Sequence, residues 1–106
     1  MSEVQWPEVV PILDASDMCR GAFDGPGGTS CLLGWCRRTF RDSFHYGFDS
    51  DHEAFVALKA EVIKRAKNES ERSYICIFND TRNKRTLAAT WNAAMKRLGY
   101  TVPCER

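Results

Sequence analysis

The sequence predicts a mainly α-helical, compact single domain of about four helices. Apolar residues recur at helical spacing in several segments, capping and stop residues bound those segments, and no linker or repeat divides the chain. At 106 residues there is room for one hydrophobic core. A composition of 43% hydrophobic, 27% charged and 11% aromatic residues is that of a globular chain, not of a disordered one. Residues 1–106 are therefore expected to form a single globular domain.

The first element is expected over Trp6-Pro7-Glu8-Val9-Val10-Pro11-Ile12-Leu13, a short helix with Pro7 in its first turn and Val9, Ile12 and Leu13 on its buried face. Asp24-Gly25-Pro26-Gly27-Gly28-Thr29-Ser30 is dense turn chemistry and predicts a loop. Around it, residues 20–33 would form a short β-hairpin, or the second side would enter a helix capped by Thr29 or Ser30. The helix is favoured, because Leu32, Leu33, Trp35, Cys36, Phe40 and Phe44 keep an apolar stripe while Arg37, Arg38 and Arg41 fall elsewhere.

Ser50-Asp51-His52-Glu53 has the pattern of a capping box and predicts a helix start. Phe55, Leu58, Val62 and Ile63, with Ala66 beyond, supply its buried face, Lys64, Arg65 and Lys67 suit its C-terminal dipole, and Asn68 ends it. The apolar run over residues 74–78 is too short for periodicity to separate a strand from a buried helical turn. A last helix follows, capped by Thr86, with Leu87, Trp91, Ala94, Met95 and Leu98 as its stripe and Gly99 as its left-handed stop. Trp6, Trp35 and Trp91 are expected to share the core.

Charge and cysteine usage bound the function. Fifteen basic and 14 acidic residues give a formal net charge of +1, so no global field draws the chain to nucleic acid or an anionic membrane. The residues from Met1 to Trp6 lack the pattern of a secretory signal, and no apolar run approaches a membrane span, so the cytoplasm is the expected location. Five cysteines, an odd number, are expected as free thiols, with no metal or other cofactor.

Several residues are candidates for chemistry or recognition. Cys31 follows a glycine-rich loop at a helix start, where the helix dipole would favour its thiolate; His45 or His52 would serve as base and Asp49, Asp51 or Asp80 as orienting carboxylate. Its competing role is that of a packing cysteine. Arg37, Arg38 and Arg41 form one basic cluster, and Arg82, Lys84 and Arg85 a second beside Asn79 and Asp80; either would contact phosphates or a protein partner. Solvated faces and a turn before the last helix are the plainer account of both.

Two stretches carry a resemblance. Cys19-Arg20-Gly21-Ala22-Phe23, the glycine-bearing loop and Cys31-Leu32-Leu33-Gly34, together with Ile77-Phe78-Asn79-Asp80 before a threonine-capped helix, resemble a family of small uncharacterised bacterial and bacteriophage proteins. That family shares a Cys/Gly-Ala segment, a Cys-x-x-Gly helix start and a Trp-Asn-Asp turn; here Phe78 stands where the tryptophan is usual. The resemblance implies a compact, mainly helical fold and a phage or mobile-element origin, and no activity.

The leading functional expectation is a non-enzymatic protein that binds a macromolecular partner, a protein, as a phage accessory protein or an inhibitor of a host system. Aromatic and arginine residues suit such an interface. The alternatives are a thiol-dependent enzyme or anion-binding module centred on Cys31, and a nucleic-acid-binding protein.

Overall fold

The structure, a computed structural model, describes residues 10–20, 25–40 and 53–100, with the side chain of Arg37 left aside. Five helices fill these segments: α1 (Leu32–Thr39), α2 (Glu53–Arg65), α3 (Glu69–Ser73), α4 (Ile75–Thr81) and α5 (Lys84–Arg97). Two 3-10 turns, Ala15–Asp17 and Pro26–Gly28, precede them. The Cα radius of gyration, 12.9 Å, is that of one compact globule of this length, for which the usual scaling gives about 13 Å.

Residues 10–14 are not helical, contrary to the helix expected through Leu13; its earlier part, Trp6 to Val9, lies outside the described residues. Pro11 donates no hydrogen bond and disfavours a helical Val10, and α5 supplies the missing partners. Asn92 Oδ1 accepts the Leu13 N–H at 3.1 Å, Asn92 Nδ2 donates to the Leu13 carbonyl at 2.9 Å, and Trp91 Nε1 donates to the Pro11 carbonyl at 3.1 Å. The segment is held by side chains of α5 where helical bonds would otherwise run.

No strand is present among the described residues. In place of a hairpin over 20–33 there is a single bridge between Met18 and Ser30, formed by the Cys19 N–H on the Ser30 carbonyl and the Ser30 N–H on the Asp17 carbonyl. The intervening turn needs its glycines: Gly27 and Gly28 have φ of 69° and 80°. A side chain on Gly25 would stand 2.8 Å from the Cys19 Cβ.

Helix α1 is capped by Cys31, not by Thr29 or Ser30, whose hydroxyls are engaged elsewhere. Thr29 Oγ1 donates to the Pro26 carbonyl, and Ser30 Oγ accepts from Arg38. The stripe is as expected where it is described: Leu32, Leu33, Cys36 and Phe40 are buried and Trp35 is half-buried. Phe44, Arg41 and the capping box at 50–52 lie outside the described residues.

Helix α2 turns Ala54, Ala57, Leu58, Glu61 and Val62 inward. Ile63, expected on that face, is 46% exposed, because the core side of the helix is centred on Leu58, Glu61 and Val62 and Ile63 lies past its edge. Asn68 does not end α2, which stops at Arg65; it caps α3, its side chain accepting the Glu71 N–H.

Residues 75–81 are helical, not a strand: Ile75, Phe78 and Asn79 recur at helical spacing and are buried against the core, while Cys76 is exposed. Helix α5 starts one turn earlier than its expected cap. Asn83 is the cap, with its side chain on the Thr86 N–H at 2.8 Å. It closes in a Schellman arrangement: the Tyr100 N–H donates to Met95, the Gly99 N–H to Lys96, and Gly99 takes φ of 101°. Trp91, Leu87 and Met95 are fully buried and pack with Leu32, Leu58, Val62 and Phe78 in one core. No helix among the described residues is long and apolar enough to cross a membrane.

Candidate functional site

The residues singled out from sequence divide sharply by what they touch. Asn79, on the buried side of α4, is 2% exposed. Its Oδ1 accepts the Leu32 N–H at 2.9 Å and its Nδ2 donates to the Cys19 carbonyl at 3.0 Å. One amide thus satisfies a donor at the start of α1 and an acceptor in the segment before the glycine loop. Asp80, its exposed neighbour, receives a long 3.5 Å contact from the same Nδ2.

Arg82 belongs to a buried ion pair. Its Nη2 and Nε donate to Glu71 Oε1 at 2.6 and 3.2 Å, the Lys67 N–H donates to the same oxygen, and Thr81 Oγ1 donates to Oε2 at 2.8 Å. The hydrogen bonds from Arg82, then that from the Lys67 N–H, lower the Glu71 carboxyl to about 2. Arg20 Nη2 reaches the Arg82 carbonyl, and the Arg82 guanidinium lies 5.8 Å from the Phe78 ring centre. This group joins α3, α4 and the Arg20 segment, and Arg82 is not available to a phosphate without breaking it.

A second buried carboxylate joins α2 to α5. Glu61, 4% exposed, accepts from Arg65 at 2.6 Å and from Arg97 at 2.8 Å, with Lys64 at 3.9 Å. Burial pushes its carboxyl up, but the bonds from Arg65 and Arg97 outweigh that and hold it below its ordinary value. Neither Glu61 nor Glu71 stood out in the sequence, because their partners include residues up to 36 positions away.

In the first basic cluster, Arg38 is the member whose side chain is described. Arg38 donates to the Gly28 carbonyl and to Ser30 Oγ and lies 4.1 Å from the Trp35 ring centre, which locks the glycine turn onto α1. Arg41 and the side chain of Arg37 lie outside what the structure describes. Of the second cluster, Lys84 and Arg85 stand exposed in the first turn of α5, a turn that contains no acidic residue. Arg85 also borders an open groove of about 530 Å³ between residues 13–16 and α5, lined with Asp14, Ser16 and Asn92.

Cys31 caps α1 with its Sγ accepting the Gly34 N–H at 3.3 Å, and it is buried. Burial pushes its thiol up, against the pull of the Gly34 and Leu33 N–H groups, so the neutral thiol dominates near pH 7. Cys36, fully buried, is pushed up to about 12 by the same cause. Among the described residues no group of three or more His, Cys, Asp or Glu side chains could hold a metal ion. His45, His52, Asp49 and Asp51 fall outside them.

The surface also carries large apolar side chains. Val56, Ile63 and Tyr74 are 54%, 46% and 59% exposed, the large hydrophobic side chains that the fold leaves in water among the described residues. Val56 and Ile63 share the outward face of α2, seven residues apart with the half-buried Ala60 between them. Lys59 of the same helix donates to the Ser73 carbonyl, which ties α2 to the segment that presents Tyr74. Beside Val56 opens a groove of about 230 Å³ lined by Glu53, Ala57, Ala60, Arg97 and Leu98. By sequence spacing Ile63 belongs with Leu58 and Val62 on the buried face and Val56 does not stand out, so this outward pair was missed. No protein-family model matches this chain, and neither a curated protein nor a solved structure matches it.

Proposed function

We propose that this protein acts without catalysis, by binding a protein partner through the surface formed by α2 and the start of α4. The observation that carries the reading is the uncovered set Val56, Ile63 and Tyr74, on elements whose other faces complete the core. Single exposed aliphatics are ordinary, but two on one helix face with an exposed tyrosine on an adjoining element have the makings of an interface anchor. The polar candidates support the same reading from the other side: Asn79, Arg82, Arg38 and Cys31 all hold elements of the fold together. The motif resemblance extends the proposal to a phage or mobile-element accessory protein, an inhibitor of a host system, working in the host cytoplasm.

The test is capture from nuclease-treated host lysate at moderate salt, comparing the wild type with Tyr74→Ala after both are shown to melt alike. The expected result is one stoichiometric protein retained by the wild type and lost by the variant. Equal retention of every protein by both would sink the reading.

A second reading is favoured by Lys84 and Arg85, exposed in a helix turn where cations oppose the dipole and which itself holds no acidic residue. They suit a phosphate-bearing nucleic acid. That reading requires salt-sensitive retention on DNA or RNA that falls when both are neutralised.

A further inference from the structure

Helix α2 is apolar on two opposite sides. Ala54, Leu58 and Val62 enter the core, and on the far side Val56, Ala60 and Ile63 form a stripe that continues into the groove over Leu98. A helix that only covered a core would carry polar residues there. From this we infer that the outward face of α2 is the seat for a second copy of this chain, packed antiparallel across a two-fold axis near Ala60. The inference rests on reading this surface as a docking surface, and it assigns the α2 part of it to self-association, leaving Tyr74 for the other partner.

Self-complementarity in shape and charge selects this occupant. Val56 and Ile63 are about 10 Å apart along the helix, on either side of Ala60. An antiparallel copy centred near Ala60 therefore sets Ile63 of the second copy into the groove beside Val56, lined by Ala57, Ala60 and Leu98, and the same contact repeats on the other side of the axis. The small Ala60 at the crossing lets the helices approach. The charges follow the same symmetry. Glu53 stands exposed at one end of the stripe; at and just past the other end Lys64 and Lys67 are exposed, while Arg97, which lines the groove, is paired with Glu61. Antiparallel packing brings each negative end to a positive end, whereas parallel packing would set like against like. A contact the length of one 13-residue helix falls in the small, transient class of interfaces, so association is expected to be weak and concentration-dependent.

Sedimentation velocity over a wide concentration range, on the full chain, tests this. The wild type is expected to rise from the mass of one chain toward that of two. Ile63→Lys is expected to stay at one chain while melting like the wild type, and Glu53→Lys to weaken association. Adding Lys64→Glu and Lys67→Glu to Glu53→Lys is expected to restore it, since the reversed ends again attract. A wild type that keeps the mass of one chain at every concentration overturns the inference, as does an Ile63→Lys variant that associates like the wild type or a charge reversal that restores nothing. Tyr74→Ala is expected to leave the mass curve unchanged, so loss of lysate capture by that variant is read separately from self-association.

Discussion

Helix α4 buries an amide, and helix α2 exposes two branched aliphatic side chains. In α4 the buried polar atoms of Asn79 meet partners within 3.0 Å, and the neighbouring Arg82 has a buried carboxylate. In α2 the outward Val56 and Ile63 remain about half exposed to water. Burying a polar group costs free energy unless a partner compensates, whereas apolar groups left in water only forgo the stabilisation that burial would give. For α4 the compensation is inside the chain, and its residues are architectural. For α2 the outward side chains stay about half exposed, and it is there that the proposal places recognition.

If that contrast is right, substitutions in the two helices act on different observables. The largest stability effect belongs to Asn79→Leu, which keeps volume but removes the buried acceptor of the Leu32 N–H and the donor to the Cys19 carbonyl. A loss of about 3 kcal/mol is expected by urea denaturation. A loss within error of zero would mean that the amide is not a staple, and would return Asn79 to the list of binding residues.

Next comes acid. The Glu71 carboxyl is held at about 2 against an ordinary 4.5, so its contribution to stability is complete above about pH 4.5 and is lost as pH falls toward 2. Glu61 is lowered too and acts in the same direction. Denaturation midpoints followed from pH 7 downward are expected to fall through this window. Glu71→Gln is expected to lower the neutral-pH midpoint and to flatten the fall; an unchanged slope would show that the pair with Arg82 does not form in solution. Smaller again, Asn83→Ala is expected to cost about 1 kcal/mol through the lost α5 cap, measured in the same way.

Thiol labelling sharpens the contrast without touching stability. Near pH 7, Cys76 is expected to be alkylated well before Cys31 and Cys36, because it is exposed while burial pushes the other two thiols up. Fast labelling of Cys31 in the folded protein would favour the thiol-enzyme alternative. The smallest stability change is expected from Ile63→Lys, within about 0.5 kcal/mol of the wild type by thermal melting. A large loss would place Ile63 in the fold and remove the reason for assigning that face to a partner.

How much of this was legible in the sequence depends on the range of the interaction. The inward faces of α1 and α5 follow from local periodicity, and the stop at Gly99 from the one residue that takes φ of 101° at little cost. Caps were misplaced by a residue or a turn, because Ser30, Asn83 and Thr86 are all acceptable caps, and the choice was made by Arg38 bonding Ser30 and by where α4 ends. The role of Asn79 was out of reach, since its partners lie 47 and 60 residues away. The non-helical segment at 10–14 escaped for the same reason: Asn92, 79 residues on, takes the bonds of Leu13. The outward face of α2 was missed, because Ile63 adjoins Val62 and fits the inward stripe by spacing, and only the packing of the helix leaves it past the edge.

The most direct measurement is a two-dimensional amide NMR titration of the protein against itself, from dilute to concentrated solution. The expected result is concentration-dependent shifts confined to residues 53–67 and to Leu98, with the amides of Asn79 to Arg82 unmoved. Shifts that are absent from α2, or that appear in α4 instead, would contradict the division between a docking helix and an architectural one.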